Sequence, residues 1–299
     1  MMDYVIREVS LLNEHIADGV GSVLGDAFGG GSIPISTIIR NTNTNSGLPS
    51  VYLAAMIDNE VIGFNAFISH ELIFSNQKIS CYQSCWTATS SKHRGKKIFQ
   101  NLILSAHEIL RDRGVAFIFG FPNDSSYPLF TKKLGYRKIP SLKWQQLNFP
   151  VVRGRWYNAN PNLITDLKQD AILQNDRQLI ELKRQEFGNR LIEVDFEGSL
   201  GWGVRRVSVR KGVPVPYLDL GGFDLVDSLH LPELMSLLRR KTGVIAYTQL
   251  VTVDGNSFNG LMHRVEPSNS NCLIIYDLNL DTEIGVRFNF LTGIRDVFK

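Results

Sequence analysis

Cysteine is scarce in this 299-residue chain, and the three present, Cys81, Cys85 and Cys272, have neither a disulfide framework nor the paired spacing of a zinc site. Cys81 and Cys85 fall on one face of a strand, where buried reduced thiols are the plain reading. No segment is apolar for the ~18 residues a membrane span needs, and Met1-Met2-Asp3-Tyr4 leads into no basic and apolar leader. A reducing, cytoplasmic setting without a membrane partner is expected. Charge of one sign is scarce too: 32 Lys and Arg are interspersed with 29 Asp and Glu, leaving a net charge of +3. With no basic stripe interleaved with aromatics, nucleic acid is not the expected partner.

What is present is apolar residue in quantity, 43% of the chain, enough for two packed cores in two near-equal halves. Tyr4 to Val9 reads as a strand, and Leu11, Leu12, His15 and Ile16 begin a helix that Gly29-Gly30-Gly31 breaks. Asn41 to Ser50 is a surface loop by composition. Val51 to Ile57 and Val61 to Phe74 form a hairpin across Asp58-Asn59-Glu60, and Lys78 to Thr89 adds a third strand. The polar turn Ser90-Ser91-Lys92-His93-Arg94-Gly95-Lys96 then opens an amphipathic helix carrying Ile98, Leu102, Ala106 and Ile109 on its apolar face. Arg111-Asp112-Arg113-Gly114 closes that helix. Val115 to Phe121 is a short buried strand, Ser125 to Leu134 a short helix, and Tyr136 to Ile139 and Leu142 to Phe149 are strands. The first half ends near Pro150.

The second half opens on a charged, helical region from Asp166 to Arg190, with Leu167, Ile172, Leu179, Ile180 and Leu182 as its apolar positions. Strands at Trp202 to Val209 and Val213 to Leu220, a helix from Pro232 to Lys241 and a strand from Val244 to Val251 repeat the element order of the first half without a residue-level repeat. Runs at Leu261 to Val265, Leu273 to Tyr276 and Val286 to Phe290 are expected to complete a second sheet.

Chemistry concentrates where the third strand meets its helix. A helix N-terminus offers unpaired N–H groups and a partial positive charge, and Arg94, Lys96 and Lys97 add cations beside it, with Gly95 allowing close approach to the backbone. That combination suits a pyrophosphate, although basic residues before a helix also occur as a plain solvated turn.

Thr89 through Phe99, with Arg94-Gly95-Lys96-Lys97-Ile98-Phe99 at its end, resembles the acyl-CoA motif of the GNAT superfamily of N-acyltransferases, Arg/Gln-x-x-Gly-x-Gly/Ala. Phe119-Gly120-Phe121-Pro122-Asn123 and Leu134-Gly135-Tyr136 resemble the family's next strand and its later Gly-aromatic pair. The resemblance covers about residues 1–150 and implies an α/β fold with a mixed, largely antiparallel sheet flanked by helices. Lys97 and Phe99 stand where the family has Gly and a small residue. By resemblance, the backbone of Trp86, Thr87, Ala88 and Thr89 pairs with the pantetheine arm, Arg94 to Phe99, Ile98 included, hold the pyrophosphate, and the thioester lies near Asn123. Asn123 also reads as a turn residue after Pro122.

The resemblance further implies direct acyl transfer to an amine. The position that often carries the family's Tyr acid is Thr131 here, which leaves Tyr127, one helical turn earlier, as the substitute acid and Ser126 behind it. Tyr127 reads equally as an aromatic cap on the core. No carboxylate is offered at Tyr82-Gln83-Ser84, so the base is His70 or a water chain.

In the second half Leu218-Asp219-Leu220-Gly221-Gly222-Phe223 leads to a helix with no Arg-x-x-Gly pattern. The whole layout, residues 1–150 as an acyl-CoA-binding GNAT domain and 151–299 as a degenerate GNAT-like domain on the acceptor side, resembles bacterial enzymes that acylate nucleotide-linked amino sugars for surface polysaccharides. Trp202, Tyr217, Asp219 and His263 are the acceptor-side candidates, each also readable as structural. An acyl-CoA-dependent N-acyltransferase using acetyl-CoA or another short acyl-CoA, with no metal and an open oligomeric state, is therefore expected. The alternative is a non-catalytic CoA sensor or scaffold built on a decayed transferase.

Overall fold

A computed structural model describes residues 4–29, 31–42, 48–74, 77–138, 143–148, 171–174, 176–243, 247–252, 262–265, 272–279 and 287–289. The chain divides into two compact units. The first comprises Met1–Glu71, Ile79–Lys138 and Leu273–Thr282; the second comprises Leu72–Lys78, Ile139–Cys272 and Glu283–Lys299.

The chain begins with strand β1 (Val5–Glu8) and helices α1 (Glu14–Phe28) and α2 (Ile35–Thr42). Strands β2 (Val51–Ile57), β3 (Glu60–Phe74) and β4 (Gln77–Thr89) follow, then α3 (Ile98–Asp112), β5 (Phe117–Gly120), α4 (Tyr127–Lys133) and β6 (Arg137–Lys138). The strand β7 (Lys143–Asn148) comes next, and then β8 (Ala171–Gln174) and α5 (Asp176–Phe187). Beyond them lie β9 (Leu191–Phe196), β10 (Ser199–Arg210), β11 (Val213–Asp224), α6 (Leu231–Thr242) and β12 (Tyr247–Thr252). Strands β13 (Met262–Val265), β14 (Ile274–Asp277) and β15 (Arg287–Asn289) complete the series.

In the first unit the strand order is β1-β2-β3-β4-β5-β14-β6. β1 to β3 are antiparallel neighbours, β4 and β5 are parallel, and β14 runs antiparallel to both β5 and β6. Alternation along β3 gives the sheet two apolar faces. Phe64 and Ala66 pack with Val20, Val23 and Leu24 of α1 and Ile38 of α2. Gly63, on the other face, lies under α3: a Cβ there would sit 2.5 Å from Ile98 Cγ2, so only glycine lets this helix come so close. The α1 helix is started by Asn13, whose side chain accepts from the Ile16 N–H at 3.2 Å, and stopped by Gly29 in the left-handed conformation. The α2 helix is absent from the sequence expectation, because Pro34 and the polar run after it mask its short apolar stripe.

The second unit has the order β13-β7-β12-β11-β10-β9, with β11 and β12 parallel and its other neighbours antiparallel. Its core joins Val194, Leu218 and Leu220 from the sheet to Leu231, Leu234, Met235 and Leu238 of α6. The unit also takes the end of β3, where Leu72 and Ile73 pair with Gln174 and Leu173 of β8, and β8 pairs in parallel with β15.

Several expectations are corrected. The run at Leu273 to Tyr276 does not complete a second sheet; it supplies β14, inserted between β5 and β6 of the first. Conversely β7, the next strand after β6 in the chain, lies between β12 and β13 of the second sheet. The sheet that begins with β1 thus draws β8, β14 and β15 from the second half of the sequence, so the run around Arg287 to Asn289 does not complete the second sheet either, while the second sheet draws β7 from the first half. A four-residue apolar run states that it is a strand, but not which edge it pairs with. Ile172 belongs to a strand, β8, rather than to the expected helix, which begins only at Asp176. Residues 139, 142, 149, 166–170, 175, 244–246, 261, 286 and 290 of the expected elements lie outside the described residues.

Candidate active site

The parallel ladder between β4 and β5 is short. Cys81 pairs with Phe117, Tyr82 with Ile118 and Gln83 with Phe119, and there the register ends, while β4 continues to Thr89. β5 stops at Gly120. The last six residues of β4 therefore run past the end of the ladder, leaving the two strands open to one another beyond Gln83. Trp86 lies in this stretch with φ of +52°, a conformation uncommon for a bulky residue. Its ring meets Phe28 of α1 edge-on at 6.3 Å. Thr87 Oγ1 accepts from Asn65 Nδ2 at 2.9 Å, and Ala88 is buried in the α1–α2 core. Thr89 Oγ1 is buried and meets no hydrogen-bond partner among the described residues.

A single-turn 3-10 helix, Ser91–His93, connects β4 to the approach of α3. The Ser91 N–H donates to Asp26 Oδ2 at 2.6 Å, and that bond, with the Ser91 hydroxyl and the Arg94 charge, lowers the Asp26 carboxyl below its usual range. Tyr4 fixes the other side of the turn: its hydroxyl donates to the Lys96 carbonyl at 3.2 Å and accepts from Asn101 Nδ2 at 2.7 Å. Lys96 Nζ lies 3.4 Å from His93 Nδ1. Gly95 and Lys97 both have positive φ, +83° and +60°. Lys97 is the N-cap of α3, at the position where the motif that this stretch resembles has its first glycine. The backbone there calls for glycine, and a lysine in it costs roughly 1–2 kcal/mol.

The first α-helical bond runs from the Asn101 N–H to the Lys97 carbonyl, so the N–H groups of Ile98, Phe99 and Gln100 stand ahead of it. Arg94, Gly95, Lys96 and Lys97 are exposed around them, and the first turn carries no acid. Phe99 does not fill the space in front of the helix; its ring packs against Phe130 of α4 at 5.3 Å. The arrangement is electropositive, with backbone donors directed outward.

The structure settles what several expected side chains bond to. Asn123 Oδ1 accepts from the Ser126 N–H at 2.9 Å and the Ser126 hydroxyl at 3.0 Å, so the two residues close a turn just ahead of α4. Tyr127 is the first residue of α4 and is half-buried; Thr131 donates its hydroxyl to the Tyr127 carbonyl at 3.0 Å. His70 is buried rather than solvated: Nε2 lies 3.2 Å from Gln83 Oε1, and the ring is 5.3 Å from that of Phe119. His70 thus sits at the last paired level, where β4 and β5 begin to part. Gln83 as its partner was not anticipated; only strand register brings the two together.

The four acceptor-side candidates lie in the second unit. Trp202 is fully buried, with its ring lying where a Cβ on Gly221 would come within 2.3 Å, so it presents no face for stacking on a ligand. Asp219 is buried and paired with Arg206 at 3.0 Å, and that guanidinium in turn lies 5.2 Å from the centre of the Phe187 ring. Tyr217 is half-buried on β11. His263 is described by its backbone only, opposite Gln146 on β7.

A family model described as the acetyltransferase (GNAT) domain matches residues 9–139, less than half of the chain. Those residues have the GNAT fold. Solved structures extend the likeness to most of the chain. The GCN5-related N-acetyltransferase from Kribbella flavida superposes with a TM-score of 0.63 at 10% identity, over 93% of this chain and 72% of that one. The GCN5-related N-acetyltransferase from Anabaena variabilis ATCC 29413 gives 0.61 at 12%, over 93% and 73%. A putative acetyltransferase from Pyrococcus horikoshii gives 0.54 at 16%, over 99% and 97%. At these identities the likeness is one of fold. No curated protein matches. Within the matched residues the open end of the β4–β5 ladder and the α3 N-terminus are consecutive in the chain, joined by the Ser91–His93 turn.

Proposed function

We propose that the protein is an acyl-CoA-dependent N-acyltransferase that moves an acetyl or short acyl group to a small amine, a nucleotide-linked amino sugar being the preferred acceptor class. The observation that carries this reading is the end of the β4–β5 ladder at Gln83 and Phe119, followed directly by a cationic helix N-terminus. A chain with amides at one end and a pyrophosphate at the other fits that order: the amides bond to the free edge of Trp86 to Thr89, and the phosphates meet the N–H groups of Ile98 to Gln100 with Arg94, Lys96 and Lys97.

In the proposed reaction the neutral amine attacks the thioester carbonyl in a ternary complex. The C–N bond forms, the tetrahedral oxyanion collapses, and the C–S bond breaks. The Tyr127 hydroxyl protonates the departing thiolate and is re-protonated from solvent. The ammonium proton leaves through water, with the His70–Gln83 pair at the root of the opening as its acceptor. Ser126, whose hydroxyl is engaged by Asn123, is the weaker acid. Tyr217 and Asp219 are proposed to serve the acceptor side, with Trp202 and His263 as supports of that unit.

Thiol release from acetyl-CoA, measured across a panel of nucleotide-linked amino sugars, polyamines and aminoglycosides, tests the reading. Turnover with at least one amine is expected, and Tyr127→Phe should lower kcat by about 10²-fold, with CoA affinity unchanged. CoA binding with no turnover on any amine would favour the second reading, a CoA sensor; Thr131 in the place of the family's Tyr acid is the observation on its side.

A further inference from the structure

Asn65, on β3, is completely buried and polar. Its Nδ2 donates to Thr87 Oγ1 at 2.9 Å and to Ser84 Oγ at 3.2 Å, and its Oδ1 accepts from the Ser84 hydroxyl at 3.2 Å. Ser84 and Thr87 are three residues apart, whereas residues on one face of a regular strand are two or four apart. Both can reach the same amide only if β4 contains one extra residue between them. The backbone supplies it: Trp86 takes φ of +52°, and Cys85 and Trp86 both pack against the α1–α2 core instead of alternating. This is a β-bulge, and it begins one residue after the last β4–β5 pair.

A left-handed tryptophan is strained, and such a conformation persists only where its surroundings over-determine it. Asn65 is the group that does so from the β3 side, because its bonds clamp the residues on either flank of the bulge. From the far side, the Ser90 N–H bonds to the Ile62 carbonyl at 3.0 Å and returns β4 to register. The strand is thus pinned at Ser84, at Thr87 and at Ser90, and the backbone between these points is directed by the bulge.

We infer that Asn65 is a positioning residue for acyl-CoA: it touches no ligand, but by clamping Ser84 to Thr87 it aims the Trp86–Thr89 backbone at the pantetheine arm. The assignment rests on the proposed acyl-CoA reading. It separates the two ends of the ligand, since Asn65 governs the pantetheine-facing strand and has no bond to the phosphate-facing turn.

Calorimetric titration of the full chain with CoA and with adenosine 3′,5′-bisphosphate, the CoA fragment lacking pantetheine, tests it. Asn65→Leu should weaken CoA binding at least tenfold while changing the Kd of the bisphosphate less than twofold. Thr87→Val, which removes one of the clamped hydroxyls from a half-buried position and keeps the residue's shape, should show a smaller change of the same pattern and guards against a general folding defect in Asn65→Leu. Equal losses for both ligands in both variants, or no loss for either, would overturn the assignment. A wild-type chain that binds the bisphosphate but gains nothing from the pantetheine arm would overturn the acyl-CoA reading itself, a result distinguishable from the first because it appears without any substitution.

Discussion

The segment from β4 through α3 to β5 and the segment from β11 through α6 to β12 have the same construction. In each, a long strand passes through a single-turn 3-10 helix into a longer helix, and the chain returns in a strand parallel to the first. Both helices end on cations, but their starts differ in charge. α6 has Glu233 in its first turn and Arg239, Arg240 and Lys241 in its last, the order that a helix dipole favours. α3 has no acid in its first turn and is preceded by Arg94, Lys96 and Lys97, an order that is unfavourable until an anion arrives. The loop before α6 is satisfied internally, with Ser199 Oγ accepting from the Val226 N–H at 2.8 Å and lying 2.9 Å from His230 Nδ1. One helix start carries an acid of its own, and the other is flanked only by cations.

The largest effect expected concerns the strands that the two sheets draw from each other's sequence. A chain ending at Lys138 contains the whole α3 segment but lacks β14, which pairs with Phe117 to Gly120 on one side and Arg137 and Lys138 on the other. It should not give a cooperative thermal transition by circular dichroism, whereas the full chain should. A truncated chain that melts cooperatively would show that the first unit needs no strand from beyond the second.

Next in size is an acid sensitivity confined to the α3 unit. His107 on α3 is buried, stacked on Tyr276 of β14 with ring centres 3.7 Å apart and bonded to the Tyr136 hydroxyl at 3.1 Å. Burial, with a smaller contribution from the Arg111 charge, lowers its pKa from 6.5 to about 4. Above pH 6.5 the ring is neutral folded and unfolded. Between 6.5 and about 4 the unfolded chain takes up a proton that the folded one refuses, so stability falls as pH falls, by up to about 3 kcal/mol. The buried face of α6 carries Leu, Met and Thr with no titratable side chain and should show no such slope. Hydrogen exchange followed from pH 7 to pH 4.5 should therefore lose protection in α3 before α6, and His107→Leu should flatten the difference.

Much of this was legible in the sequence, and the residues show where legibility stopped. The three-strand meander, the amphipathic α3 and the cation cluster at its start follow from local periodicity and turn chemistry. Lys97 was read as a departure from the family's glycine, but its left-handed backbone became visible only in the fold. His70 and Gln83 are thirteen residues apart, and Asn65 and Thr87 twenty-two, so their bonds depend on strand register, which no local pattern states. The sequence leaves Trp202 readable as an acceptor-side candidate or as a structural residue; its burial against Gly221 places it in the core.

The smallest change expected is at Lys97 itself. Lys97→Gly should raise the stability of the α3 unit by roughly 0.5 kcal/mol, the relief of a left-handed lysine less the extra freedom of glycine in the unfolded chain. The loss of one exposed cation should weaken CoA binding roughly two- to fivefold. Chemical denaturation and titration of the same variant check both, and a clear loss of stability would contradict the strain.

The two helix ends can be compared in one calorimetric experiment. CoA titrated into the full chain should bind one molecule per chain, Arg94→Glu with Lys97→Glu should abolish that binding, and Glu233→Lys at the start of α6 should leave it unchanged. Binding that survives the double reversal at α3, or that is lost on the α6 substitution, would contradict the claim that the α3 N-terminus is the phosphate grip.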